Sequence, residues 1–232
     1  EDKTLVAEFV EKDYPIMTRF YVTDLNQQNR YLGSVSYTAG DKTETLFTCA
    51  TQEELPFTEY KKLHTPQVEG AVIDKTENPI RLEEGVENFS MNFKQYNEDI
   101  TYNNGYRDIV CEPEIIWSYQ TLYIDWNNDK EFSGENEIYA AVGNNSGDNT
   151  FDDPDGNVTE GWDRTITVPA ETAPGTYRMR VVYMGPDPWS NDWPSKVFTE
   201  FYNEIRNGIA YDFEIAISPA SGIKGIASGK VY

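Results

Sequence analysis

The sequence predicts an all-β protein: an antiparallel β-sandwich of jelly-roll or immunoglobulin-like kind, preceded by a strand-rich N-terminal region. Three observations carry this. Apolar and polar residues alternate with a period of two along much of the 232-residue chain. Aromatic residues reach 14%, led by 16 Tyr and 11 Phe, whose flat rings pack well on a pleated surface. Clusters of Asn, Asp, Gly and Pro separate the alternating runs.

The runs fall in order. Leu5, Ala7 and Phe9 alternate first, then Ile16, Thr18, Phe20 and Val22, then Tyr31, Gly33, Val35 and Tyr37, then Thr43 to Cys49. Turn formers at Asp13 to Pro15, Asp24 to Asn29 and Gly40-Asp41 divide them, which predicts about four antiparallel strands in a meander. Thr51 with Glu54 has capping-box spacing, but Pro56 cuts any helix short. Periodicity is lost from Glu59 to Gly70, so a boundary is placed near residue 66. The first region, 1–66, is short for a free-standing sandwich, and its strands can join the sheets of the second, 67–232.

The second region repeats the pattern. Phe89, Met91 and Phe93 share one face, as do Leu122, Ile124 and Trp126. Tyr177, Met179, Val181 and Tyr183 set Arg178 and Arg180 opposite, and Tyr211, Phe213, Ile215 and Ile217 set Asp212 and Glu214 opposite. Those charged residues are expected to pair across strands and close a sheet face. Phe198, Phe201 or Tyr202, and Ile205 have helical spacing with Gly208 as a stop, which predicts a short helix. The run Gly143 to Gly161 is a surface loop by composition, and the Ser- and Gly-rich tail from Ser218 reads as a linker.

The net charge of −21 repels phosphate backbones and anionic headgroups, so nucleic acid and membrane-surface partners are not expected. No apolar run is long enough to span a bilayer, and no membrane insertion is expected. Neutral glycans, cations and basic partners are compatible with such a field. Cys49 and Cys111 can pair or stand as buried thiols.

From about Gly105 the order of motifs resembles the GEVED family, β-sandwich modules of large exported bacterial proteins. Gly105-Tyr106-Arg107-Asp108 resembles its early Gly-Tyr-x-Asp signature. Tyr123-Ile124-Asp125-Trp126-Asn127-Asn128-Asp129 resembles its WIDWNxD strand and loop. Val168-Pro169-Ala170 and Gly175-Thr176-Tyr177-Arg178-Met179-Arg180-Val181 resemble its VP…A…GxxRMRV segment. Gly208-Ile209-Ala210-Tyr211-Asp212-Phe213 sits at the name-giving Gly-Glu-Val-Glu-Asp-Tyr motif, with Ile209 and Tyr211 in place of both glutamates. The resemblance implies an accessory module that accompanies catalytic or adhesive domains, secreted or held at the cell surface, with other domains of the same exported protein as partners.

Two segments are candidate sites. In the first, Asp125, Asn127 and Asp129 alternate at the end of a strand, and oxygens at positions one, three and five of a loop can converge on a hard cation such as calcium. Glu131, Glu135 and Glu137 complete the candidate ligand set. Lys130 and Asn136 stand where an EF-hand loop has Gly and Glu, and the competing reading is a turn whose side chains bond their own backbone. A second acidic cluster, Asp148, Asp152, Asp153 and Asp155, has the composition of an ordinary turn.

The second segment runs from Gly185 to Pro194, where Trp189 and Trp193 lie among Asp187, Asn191 and Asp192. Indole faces beside amide and carboxylate groups suit a glycan ligand, with Trp162 beside Asp163 a further candidate. The competing reading tucks these rings into the sandwich.

Enzyme signatures are missing. The single histidine, His64, lies in the connector, no Gly-x-Ser-x-Gly elbow or phosphate-binding glycine loop occurs, and His and Cys are too few for a zinc site. The expectation is therefore a non-catalytic, extracytoplasmic module that binds carbohydrate or serves adhesion. A purely structural spacer is the first alternative, and a glycoside hydrolase with a carboxylate pair the second.

Overall fold

A computed structural model describes residues 13–20, 31–54, 68–69, 72–103, 106–111, 118–144, 161–184, 201, 203–206 and 208–221. The elements among them are strands, with one 3-10 turn at Gln52–Glu54. In chain order they are β1 (Thr18–Phe20), β2 (Leu32–Ala39), β3 (Lys42–Thr48), β4 (Val68–Glu69), β5 (Val72–Asp74), β6 (Ile80–Glu83), β7 (Asn88–Gln95) and β8 (Ile100–Asn103). They continue as β9 (Asp108–Cys111), β10 (Ser118–Asp125), β11 (Ile138–Asn144), β12 (Gly161–Thr167), β13 (Gly175–Met184), β14 (Glu204–Arg206) and β15 (Gly208–Ser218).

Two sheets make the sandwich. One has the order β12-β7-β2-β3; the other runs β11-β10-β13-β15-β5, with β6 also beside β15. β2 pairs antiparallel with β7, so strands on either side of residue 66 share one sheet. The alternating residues face the gap between the sheets: Val35, Phe89, Met91 and Phe93 from one, Leu122, Ile124, Met179, Val181 and Phe213 from the other, all buried in a single cluster. Each large side chain so buried contributes about 1.5–3 kcal/mol.

The second sheet is also covered on its outer face. Tyr123, Phe132, Val182, Met184 and Ala210 form a second apolar cluster there with Met17 and Ile205. The cover comes from residues 14–17 and from a small sheet in which β1 lies parallel to β14 and antiparallel to β4. Two expectations are corrected by this. β1 does not continue a meander with β2, because its partners come from distant parts of the chain. The predicted helix around Ile205 is replaced by β14, whose Ile205 points into the outer cluster. β2 and β3 do form a hairpin, turning at Gly40, whose φ of 57° only glycine adopts at little cost. The capping spacing at Thr51 holds in miniature: Glu54 accepts the N–H groups of Ala50 and Thr51.

The charged faces of β13 and β15 meet in register, Arg180 opposite Asp212 and Arg178 opposite Glu214. Asp212 takes the fork of Arg180 through Nε at 2.7 Å and the other arm at 2.9 Å, and Arg178 joins the same carboxylate at 3.0 Å. This pairing is not a solvent-side feature, since the Arg180 and Asp212 side chains are 3% and 6% exposed. Arg180 also donates to the carbonyl of Pro15 and lies over the Phe132 ring at 5.3 Å.

Candidate functional site

The acidic loop follows β10 and ends at β11. Asp125 closes the strand, fully buried, and its carboxylate gathers three donors. Its Oδ1 accepts the Asp129 N–H at 3.2 Å, and its Oδ2 accepts the Lys130 N–H at 3.0 Å and the Tyr14 hydroxyl at 2.8 Å. The turn then repeats a short rule: Asn127 accepts the N–H of Asp129, and Asp129 that of Glu131, both at 2.8 Å. These are side chains bonding backbone two residues on, the habit that makes Asx residues turn formers. Asn128, Lys130 and Asn136 take φ values of 58°, 61° and 63°. Lys130 thus makes the left-handed bend for which a glycine would be the easier residue.

Glu137 braces the far end of the loop. Its carboxylate accepts the N–H groups of Asn127 at 3.2 Å and Gly134 at 2.6 Å, while its backbone carbonyl accepts the Ile124 N–H at 2.8 Å. Burial pushes its carboxyl above the ordinary glutamate range, the two N–H groups pull it down, and Asp125 and Asp129 push it up. Between the two braces Phe132 turns inward, 1% exposed, against Tyr14, Tyr123 and Phe201.

The six side chains expected to hold a cation are therefore used unequally. Asp125, Asn127, Asp129 and Glu137 turn to backbone N–H groups of the loop itself, whereas Glu131 and Glu135 are exposed. Among the described residues no three His, Cys, Asp or Glu side chains come together as a metal-binding group. Four of the six expected ligands are engaged in a self-bonded turn.

Behind the loop, Trp126 donates its indole N–H to the Tyr139 hydroxyl at 2.9 Å, and that hydroxyl donates to the Thr167 carbonyl at 3.3 Å. Trp126 also leans on Tyr177, ring centres 5.4 Å apart. This relay ties β11 in one sheet to the end of β12 in the other. Beside it the sheets part around a cleft of about 830 Å³, lined by Leu82, Val86, Glu87, Tyr139, Val168 and Thr172 among others. No motif in the sequence announces the cleft, because its walls come from four separate segments.

Of the ligand-binding residues expected from sequence, Asp187, Trp189, Asn191, Asp192 and Trp193 lie outside the described residues, as do His64 and the acidic cluster at Asp148 to Asp155. Trp162 is corrected: it is 2% exposed and stands edge-on to Tyr183 at 5.0 Å, so it is a core ring and presents no face to a ligand. Cys49 is a free, half-buried thiol whose Sγ donates to the Glu54 carbonyl at 3.6 Å.

The sequence model of the GEVED domain family matches residues 119–215. Over that segment the chain is similar to GEVED domains. Neither the curated proteins nor the solved structures gave a match to the chain. The GEVED match suggests an accessory module, and the geometry explains its motifs. The Arg-x-Arg of β13 and the Asp of the name-giving motif are the Arg178, Arg180 and Asp212 cluster. Gly208, which opens that motif, has no room for a side chain, since a Cβ there would strike the Tyr183 carbonyl and the Met184 backbone. Ile209 and Tyr211, standing at the two glutamate positions, are both 1% exposed. Tyr211 stacks on Phe47 of β3 at 5.7 Å and accepts the Leu32 N–H at 3.2 Å. The departure from the family pattern is thus a packing contact with the N-terminal strands, which lie outside the GEVED span.

Proposed function

We propose that the chain is a non-catalytic accessory module of a secreted or cell-surface bacterial protein and that it binds neutral carbohydrate. The observation that carries this reading is the fate of the buried acids. Asp125, Glu137 and Asp212 each accept backbone N–H groups or arginine donors, so these three carboxylates serve the fold. What remains for a ligand is surface with a strongly negative field, which disfavours anionic partners. Trp189 and Trp193, with Asp187, Asn191 and Asp192, supply one set of side chains suited to sugar rings and hydroxyls.

A spacer role is the second reading, favoured by the same self-bonded loop and by the buried Arg180–Asp212 pair, which stiffen the module without offering chemistry. Affinity electrophoresis separates the two. Gels cast with a β-glucan, a mannan, a xylan or starch retard a carbohydrate-binding module; unchanged mobility in all of them is the result that favours the spacer.

A further inference from the structure

We infer that the cleft between the sheet ends, beside Tyr139, is a saccharide-binding site. The inference rests on the carbohydrate reading and gives it a location. The cleft measures about 830 Å³, within the ~300–1,000 Å³ that small-molecule and oligomer subsites occupy. Its floor is apolar: Leu82, Val86, Val168 and Ile217, three of them among the core residues. Polar residues complete the lining: Glu83, whose carboxylate also accepts the Ser221 hydroxyl, and Glu87, Asn136, Thr167 and Thr172. An apolar floor beside polar lining residues suits a pyranose, whose C–H face is apolar and whose edge carries hydroxyls.

Charge narrows the ligand. No Lys or Arg is among the described lining residues, while two glutamates are. Uronic, sialylated and sulfated sugars would enter unpaired and be repelled, so the occupant is a neutral saccharide chain. The wall is also preformed. Tyr139 is held by Trp126 on one side and Thr167 on the other. A site built this way loses little freedom when it binds.

The test uses the full chain and gels cast with a β-glucan, a mannan, a xylan or starch. Ala170→Trp places a large ring from an exposed wall position into the cleft, and Glu87→Ala removes an exposed acceptor from the lining. Both are expected to weaken retardation about tenfold or more, equivalent to about 1.4 kcal/mol, with unchanged melting temperature. Should Ala170→Trp not fold, Glu87→Ala decides alone. Full retention of binding in these variants, with loss in Trp189→Ala/Trp193→Ala, overturns the cleft and leaves the carbohydrate reading standing. Failure of the unsubstituted chain to bind any of the four polysaccharides overturns both.

Discussion

Tyr14 donates its hydroxyl to Oδ2 of Asp125 at 2.8 Å, joining positions 111 residues apart. The same ring lies 5.6 Å from Phe132 and under the Arg178 guanidinium at 5.0 Å. One N-terminal side chain therefore completes the acidic loop of the GEVED segment. Tyr14→Phe keeps the ring and removes one of three donors to a buried carboxylate. The expected loss is about 1–3 kcal/mol in urea unfolding, and a change within error would show that Asp125 does not depend on the contact.

The unit that folds is larger than the family match. Residues 119–215 contain β10 to β14 and most of β15, but not β2, β3 or β7, which make three of the four strands of the opposing sheet. Alone, the segment would expose Leu122, Ile124, Met179, Val181 and Phe213 to water. A fragment of residues 119–215 is expected to show no cooperative thermal transition, whereas residues 13–221 unfold in one step. A sharp transition in the short fragment would contradict this.

Asp212 anchors the outer face. Asp212→Asn leaves Arg180 buried with its charge uncompensated, at an expected cost of about 3–5 kcal/mol. Thermal unfolding followed by circular dichroism measures it, and an effect below about 1 kcal/mol would place the pair among ordinary surface bridges.

Glu137 predicts a pH dependence. Its folded carboxyl is raised by burial and by Asp125 and Asp129, so the folded state holds the proton more tightly than the unfolded chain. The stability this contributes is present below the ordinary glutamate value of about 4.3 and is lost as pH rises through the raised folded value. The melting temperature of the unsubstituted chain minus that of Glu137→Gln should therefore fall as pH is taken upward from 4. A difference that grows over that range would reverse the sign.

The loop carboxylates of Asp125, Asp129 and Glu137 already accept N–H groups of the loop itself. Adding a chelator to the chain, or millimolar calcium to a metal-stripped sample, is expected to leave the melting temperature unchanged. A rise of several degrees with calcium would show that the carboxylates of Asp125, Asp129 and Glu137 can reorganise around a cation.

Much of this was legible in the sequence. Alternation placed Tyr177, Met179, Val181 and Tyr183 on one face and matched them to Tyr211, Phe213 and Ile215, because period two is a local property of the chain. The turn-forming habit of Asp125 and Asn127 was equally local. What alternation cannot tell is whether a polar face meets water, and Arg180 and Asp212 are buried under a segment that begins near Tyr14. The parallel pairing of β1 with β14 and the burial of Trp162 depend on partners far away in sequence. Helical spacing at Ile205 misled for the same reason: β1 and the outer cluster claim that residue.

By this proposal the acidic chain binds neutral carbohydrate and leaves it intact. Co-sedimentation with an insoluble neutral polysaccharide, with reducing ends assayed in the same tube, tests it most directly. The chain is expected to leave solution with the polysaccharide while reducing ends stay at the level of the blank. A chain that stays in solution with every neutral polysaccharide tried, or reducing ends that rise with time, would contradict it.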